Sequence, residues 1–96
     1  MKAKFTAVLL LSNHYGVLNR VTGLYAKRGY NINALSVRET ADKNFSEMVI
    51  VSVGGEYEKQ QIIRNIRKLH DVKHAEIFDK EMSLDEASKY LHTLKI

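Results

Sequence analysis

Residues 4–32, KFTAVLLLSNHYGVLNRVTGLYAKRGYNI, change character twice within a short span, and those two changes decide the fold. Lys4 to Ser12 is a leucine-rich run of strand length, apolar at odd and even positions alike, as a central strand buried on both faces requires. Asn13-His14-Tyr15-Gly16 breaks it. From Val17 the apolar positions take helical spacing: Val17, Val21, Leu24 and Arg28 lie on one face, with Leu18 and Tyr25 alongside. Gly29 is a natural terminator, because glycine accepts the left-handed conformation in which many helices end.

Downstream of this block, Asn31 to Glu39 returns to strand character, with Asn33, Leu35 and Val37 on one face and Ile32, Ala34 and Ser36 on the other. Polar residues Thr40 to Asn44 read as a hairpin connection. A third strand, Ser46 to Val53, alternates Val49, Val51 and Val53 against Met48 and Ile50, and Gly54-Gly55 ends it. Ile62, Ile63, Ile66 and Leu69 mark a second amphipathic helix, and Val72 to Phe78 a fourth, weaker strand. The order βαββαβ predicts an α+β, ferredoxin-like domain: a four-stranded antiparallel sheet, first and third strands central, with two helices on one face because both crossovers are right-handed.

The opposite face of such a sheet carries valine, leucine and methionine and needs a cover, which points to self-association. A nearer cover is also available. Ser83-Leu84-Asp85-Glu86 has the spacing of a capping box and opens a short helix with Leu84, Ala87, Leu91 and Leu94. The expected organisation is therefore one domain over residues 1–79 and a helical tail over residues 80–96 that supplies part of the cover. A chain of 96 residues has room for one core of this kind and not for two.

Composition narrows the function. The absence of cysteine excludes disulfides, zinc-thiolate sites and thiol catalysis, and makes the cytoplasm the expected compartment. The apolar stretch Phe5 to Leu11 is far too short for a membrane span and lacks a small-residue cleavage site. The net charge of +4 comes from fifteen basic and eleven acidic residues spread along the chain, so no basic tract stands out. No nucleophile with a base and orienting group, no phosphate loop of the Gly-Lys-Ser type and no paired helical metal ligands occur, which argues against an enzyme. His70 and His74 straddle a helix–strand junction and read as surface histidines. Ser46 to Val53 offers none of the strand aromatics with which ferredoxin-like RNA-binding domains stack bases, and Arg64, Arg67 and Lys68 read as a solvated face. Gly54-Gly55-Glu56 reads as a turn, and Tyr25 and Tyr30 as packing residues.

One segment invites a ligand. Asn13-His14-Tyr15-Gly16-Val17-Leu18 leaves a central strand and opens a helix, where free amide N–H groups and the positive end of the helix dipole attract an anion. Gly16 lets a carboxylate approach the backbone, and the Asn13 amide both donates and accepts, as a zwitterion needs. The same residues also fit a plain structural role, with Asn13 capping the helix and Gly16 permitting the turn. The residues alone leave both readings open.

The run Asn13-x-x-Gly16-Val17-Leu18-Asn19-Arg20-Val21-x-Gly23-Leu24-Tyr25-x-x-Arg28-Gly29-Tyr30-Asn31-Ile32 resembles the opening half of the ACT domain in regulatory small subunits of acetolactate synthase (acetohydroxyacid synthase). Weaker similarity continues through Met48-Val49-Ile50-Val51 and Leu69-x-Asp71-Val72, so that the resemblance covers roughly residues 4 to 78. Many relatives continue into a second domain, and this chain looks like a short, single-domain form. The resemblance implies a non-catalytic subunit that binds a branched-chain amino acid (valine, leucine or isoleucine) between two subunits and modulates the catalytic large subunit, giving feedback regulation of branched-chain amino-acid biosynthesis. It implies effector contacts from Asn13, His14, Tyr15, Gly16, Val17 and Leu18 of one chain and from Asn31 of its neighbour, with Ile32 or Leu35 lining the aliphatic pocket. The thiamine diphosphate, magnesium and FAD of such synthases are expected in the catalytic partner and no cofactor in this chain. A homodimer or higher homo-oligomer is expected, with neither nucleic acid nor membrane as partner. The alternative is a freestanding ACT-type sensor of another small metabolite.

Overall fold

The strands and helices fall where the apolar pattern changes period. The computed structural model describes residues 2–14 and 16–94. Its elements are β1 (Ala3–Ser12), α1 (Val17–Lys27), β2 (Ala34–Glu39), β3 (Phe45–Gly54), α2 (Glu56–Arg67), β4 (Val72–Phe78) and α3 (Leu84–His92). The sheet order is β2-β3-β1-β4, with every neighbouring pair antiparallel. This is the expected ferredoxin-like βαββαβ arrangement, with the first and third strands at its centre.

β1 is buried from Phe5 through Ser12 because both of its faces are covered. Phe5, Ala7, Leu9 and Leu11 point to the layer formed by α1 and α2, where they meet Val21 and Tyr25 of α1 and Ile62 and Ile66 of α2. Met48 and Ile50 of β3 sit opposite Leu9 and Ala7 in register and complete this core. Each large side chain so buried contributes about 1.5–3 kcal/mol of hydrophobic stabilisation before entropy is counted. Gly29, at φ 73°, turns the chain out of α1 in the left-handed conformation read from the sequence.

The even-numbered residues of β1 face the other way. Val8 and Leu10 join Val49, and the tail covers them with Met82, Ala87 and Leu91, flanked by half-buried Phe45, Phe78 and Tyr90. α3 starts as its capping box predicts: Ser83 Oγ accepts from the Glu86 N–H at 3.1 Å and the Glu86 carboxylate accepts from the Ser83 N–H at 3.1 Å. With α3 in place, the argument for self-association from a bare apolar sheet face loses its basis; the open strand edges remain.

β2 is shorter than its sequence pattern. The expected start at Asn31 is corrected to Ala34, because the segment leaving Gly29 is tied down by other bonds before the ladder begins. The Asn31 carbonyl accepts from Ser52 Oγ at 2.7 Å, and the Asn33 N–H donates to the Val51 carbonyl at 2.7 Å. β2 pairs with β3 alone, and of its side chains only Leu35 is shielded.

Candidate functional site

The β1–α1 turn is fixed from three sides. The Asn13 N–H donates to the Asn44 carbonyl at 2.8 Å, which joins the turn to the β2–β3 hairpin. The Asn13 side chain extends that joint: Nδ2 donates to Glu39 Oε2 at 3.0 Å and to the Lys43 carbonyl at 3.1 Å, while Oδ1 accepts from Ser46 Oγ at 3.1 Å. On the far side, the Ser12 N–H donates to the Asp71 carbonyl at 2.8 Å. The Asp71 carboxylate pairs with Arg20 of α1, whose guanidinium holds that carboxyl below the usual range.

The capping role that the sequence left open for Asn13 is therefore not the one it has. Gly16 is the N-cap of α1, at φ 86° and with no side-chain cap, and the first turn holds no acidic residue. A side chain at Gly16 would be strained by that backbone and would stand near the Arg20 guanidinium. The first turn thus supplies no acidic side chain to the helix dipole, unlike those of α2 and α3, which carry Glu56 with Glu58 and Asp85 with Glu86.

Beside this turn lies a cleft of about 260 Å³ lined by Leu11, Ser12, Asn13, His14, Val17, Leu18, Val37, Arg38, Glu39 and Ser46. It brings together Asn13, His14, Val17 and Leu18 of the sequence-derived set, with Gly16 at the turn itself; Tyr15 lies outside the described residues. Leu18 and Val37 stand 41% and 40% exposed there and give the depression two aliphatic walls.

The remaining sequence-derived residues lie elsewhere in the single chain. Glu39 pairs with Ser46 at the end of β2 near the turn, whereas Ala34 pairs with Val51 at the other end, so Asn31 and Ile32 are a strand's length from Asn13. Asn31 borders a separate depression with Tyr30, Ser52 and Val53. Ile32 is exposed, and Leu35 packs half-buried against the α1–α2 core. Sequence reading missed Leu11, Ser12, Val37, Arg38, Glu39 and Ser46 as cleft residues. The signal for two of them was present: Val37 and Glu39 continue the alternation of Leu35 on an edge strand.

Other candidates settle into structural roles. His74 lies 2.9 Å from the Tyr90 hydroxyl, joining β4 to α3, and among the described residues no group of three His, Asp or Glu is placed to hold a metal. Tyr25 is fully buried and meets the Tyr30 ring edge-on, and burial pushes its hydroxyl pKa well up. Arg67 donates to the Ala75 carbonyl at 2.9 Å. The sheet face on which a ferredoxin-like RNA binder stacks bases is occupied by α3. None of the described helices is long and apolar enough to cross a membrane.

A family model described as the AHAS small subunit-like ACT domain matches residues 8–74. The isozyme 3 small subunit of acetolactate synthase from Escherichia coli K12 is 47% identical over 64 residues, which are 67% of this chain and 39% of that protein. The acetolactate synthase small subunit of Bacillus subtilis is 40% identical over 65 residues, 67% of this chain and 38% of that protein. This chain thus spans about two-fifths of the length of these curated relatives. The crystal structure of the acetolactate synthase small subunit from Thermotoga maritima superposes with a TM-score of 0.71 at 30% identity, covering 77% of this chain and 46% of that one. The ACT domain of a Chlorobium tepidum GTP pyrophosphokinase, at 16% identity and a TM-score of 0.68, shares the fold. By the family match over most of its length, and by relatives that agree with it, the chain belongs to the AHAS small subunit-like ACT-domain family.

Proposed function

We propose that this chain is a non-catalytic, cytoplasmic regulatory subunit that binds valine, leucine or isoleucine between two of its copies and thereby modulates the catalytic subunit of an acetolactate synthase. The observation that carries the reading is the cleft at the β1–α1 turn, where branched walls from Leu18 and Val37 meet the start of α1, whose first turn holds no acidic residue. An amino-acid carboxylate is attracted to such a helix start, and a branched side chain fits the aliphatic walls.

The open edge of β2 supports a two-chain site. An edge strand of this kind invites pairing, and a two-fold axis requires the paired strands to run antiparallel. With the axis at Ser36, Ile32 and Asn31 of a second copy would come beside Thr40 and Ala41 of the first, next to the Asn13 hub. Such pairing would bring the separated halves of the sequence-derived set together at one interface. The thiamine diphosphate, magnesium and flavin of the reaction then belong to the catalytic subunit, and this chain acts by shifting its conformational equilibrium. A coupling of about 1–3 kcal/mol suffices for a several-fold to hundredfold effect.

Thermal unfolding of the purified chain against the twenty amino acids tests the binding step. A selective rise with a branched-chain amino acid is expected, since a ligand at a hundredfold excess over Kd adds about 2.7 kcal/mol. Addition of the chain to a catalytic subunit should raise synthase activity, and the same amino acid should lower it again. A rise with an unrelated metabolite, without any effect on the synthase, would instead mark a freestanding sensor.

A further inference from the structure

Within the proposed effector cleft, both hydrogens of the Asn13 amide bond within this chain, to Glu39 and Lys43, and its oxygen already accepts from Ser46. It offers an ammonium group one further lone pair and no charge. Glu39 is better placed. Its carboxylate borders the cleft, accepts through Oε2 from Asn13 at 3.0 Å, and forms no ion pair with a cation among the described residues. An ionised carboxylate can accept several hydrogen bonds, so one donor leaves capacity for a ligand cation. The bond to Asn13 also orients the carboxylate before any ligand arrives.

Val37 lies two residues before Glu39 on the same face of β2, and Leu18, in the first turn of α1, lines the same cleft. The cleft thus has an anionic end and an aliphatic wall, beside a helix start that favours an anion. Those three features match the three parts of an aliphatic α-amino acid. We infer that Glu39 recognises the ammonium group of the effector and that Val37 with Leu18 sets the size of side chain accepted, so that the cleft distinguishes an α-amino acid from the 2-oxo acid of the same carbon skeleton. This rests on the effector reading proposed above and adds to it the residues of selection, two of which lie outside the sequence-derived set.

The test is calorimetric titration of the full chain and of Glu39→Gln and Val37→Ala with L-valine, L-leucine, L-isoleucine and 3-methyl-2-oxobutanoate, the oxo analogue of valine. Glutamine keeps an oxygen to accept from Asn13, and unliganded thermal unfolding checks that each variant folds as the parent does. The parent chain should bind at least one of the amino acids, and prefer valine to its oxo analogue by about tenfold or more, the scale of a charge-assisted hydrogen bond. Glu39→Gln should lose most of that preference, and Val37→Ala should move the preference from valine towards leucine by about tenfold. If the parent binds an amino acid and both variants match it in affinity and preference, the residue assignment is overturned while the effector reading stands. Equal binding of valine and its oxo analogue by the parent overturns the ammonium assignment alone. Failure of the parent to bind any of the three amino acids removes the effector reading and this inference together.

Discussion

The two faces of the sheet are covered by different means. Beneath α1 and α2 thirteen of the described residues form one buried cluster, in which Phe5, Leu9, Tyr25, Ile50 and Ile66 are all at most 1% exposed. Beneath α3 the buried cluster has six members among the described residues, and much of the attachment is polar. Thr6 Oγ1 donates to the Lys80 carbonyl at 2.7 Å and accepts from the Met82 N–H at 3.0 Å; Tyr90 bonds His74; and Arg38 bridges Glu47 of β3 and Asp85 of α3 at 3.3 and 3.1 Å. Burial without direction makes the first face the seat of global stability, whereas directional bonds around a small apolar patch give α3 a defined seat at lower cost to open. Local opening should follow that division.

Leu9→Ala is the strongest way to break the comparison. Leu9 is fully buried at the centre of the larger cluster, and such truncations cost about 2–5 kcal/mol by lost transfer energy and residual cavity. Denaturant unfolding should show one cooperative transition at lower midpoint, with no region retaining protection. Leu91→Ala should cost less, about 2 kcal/mol, because Leu91 sits at the margin of the smaller patch and its site can collapse. Its hydrogen-exchange signature should differ in kind: amides of α3 exchange faster while those of β1 and α2 keep the parent's protection. Loss of protection throughout the sheet in Leu91→Ala would mean that both faces form one cooperative unit.

How much of this was legible in the sequence differs between the faces in the same way. The helix layer follows from periodicity, and β4 spans Val72–Phe78 as its pattern reads. The start of α3 was legible too, since a capping box is a local signal, and Ser83 with Glu86 forms it. What could not be read were pairings set by strand register. Asn13 finds Glu39, Lys43 and Ser46 from 26 to 33 positions away, and no local pattern announces that it spends its amide on the hairpin. The strand start at Asn31 was misread for a related reason: its alternation persists, but Ser52 captures its carbonyl outside the ladder. The loop of the candidate site was visible as a helix opening after a central strand, and the alternation put Val37 and Glu39 on one face of an edge strand, but only the folded register sets that face beside the loop.

Asn13→Ala sharpens the contrast between loop and core. An exposed loop residue is ordinarily replaceable at little cost, yet this one removes three hydrogen bonds that join the β1–α1 turn to the β2–β3 hairpin. A loss of about 1 kcal/mol is expected, since the groups it abandons regain water. Hydrogen exchange should rise at Asn44 and Ser46 but not in α3. Reduced effector binding by this variant would therefore report a loosened cleft as well as a missing contact, which is why Glu39→Gln is the cleaner probe of recognition.

The smallest effect belongs to Asp85→Asn. Arg38 holds two carboxylates in different surroundings: the Glu47 side chain is 4% exposed and that of Asp85 83% exposed. Removing the outer one leaves the buried Glu47 with its counter-ion, so no charge is stranded in the interior, and an exposed pair contributes little on its own. Asp85 also stands in the first turn of α3, where a negative charge favours the helix dipole. Both contributions are screened by salt, the Debye length falling from about 10 Å at 0.1 M to 3 Å at 1 M. Asp85→Asn should accordingly speed exchange in α3 slightly at low salt, less than Leu91→Ala does, and match the parent at 1 M salt. If it frees α3 as fully as Leu91→Ala at both salt concentrations, the charges hold this helix down and the apolar patch merely follows. If the salt dependence is as expected, the patch beneath Leu91 holds α3 to the sheet, and Arg38 sets the position in which it docks.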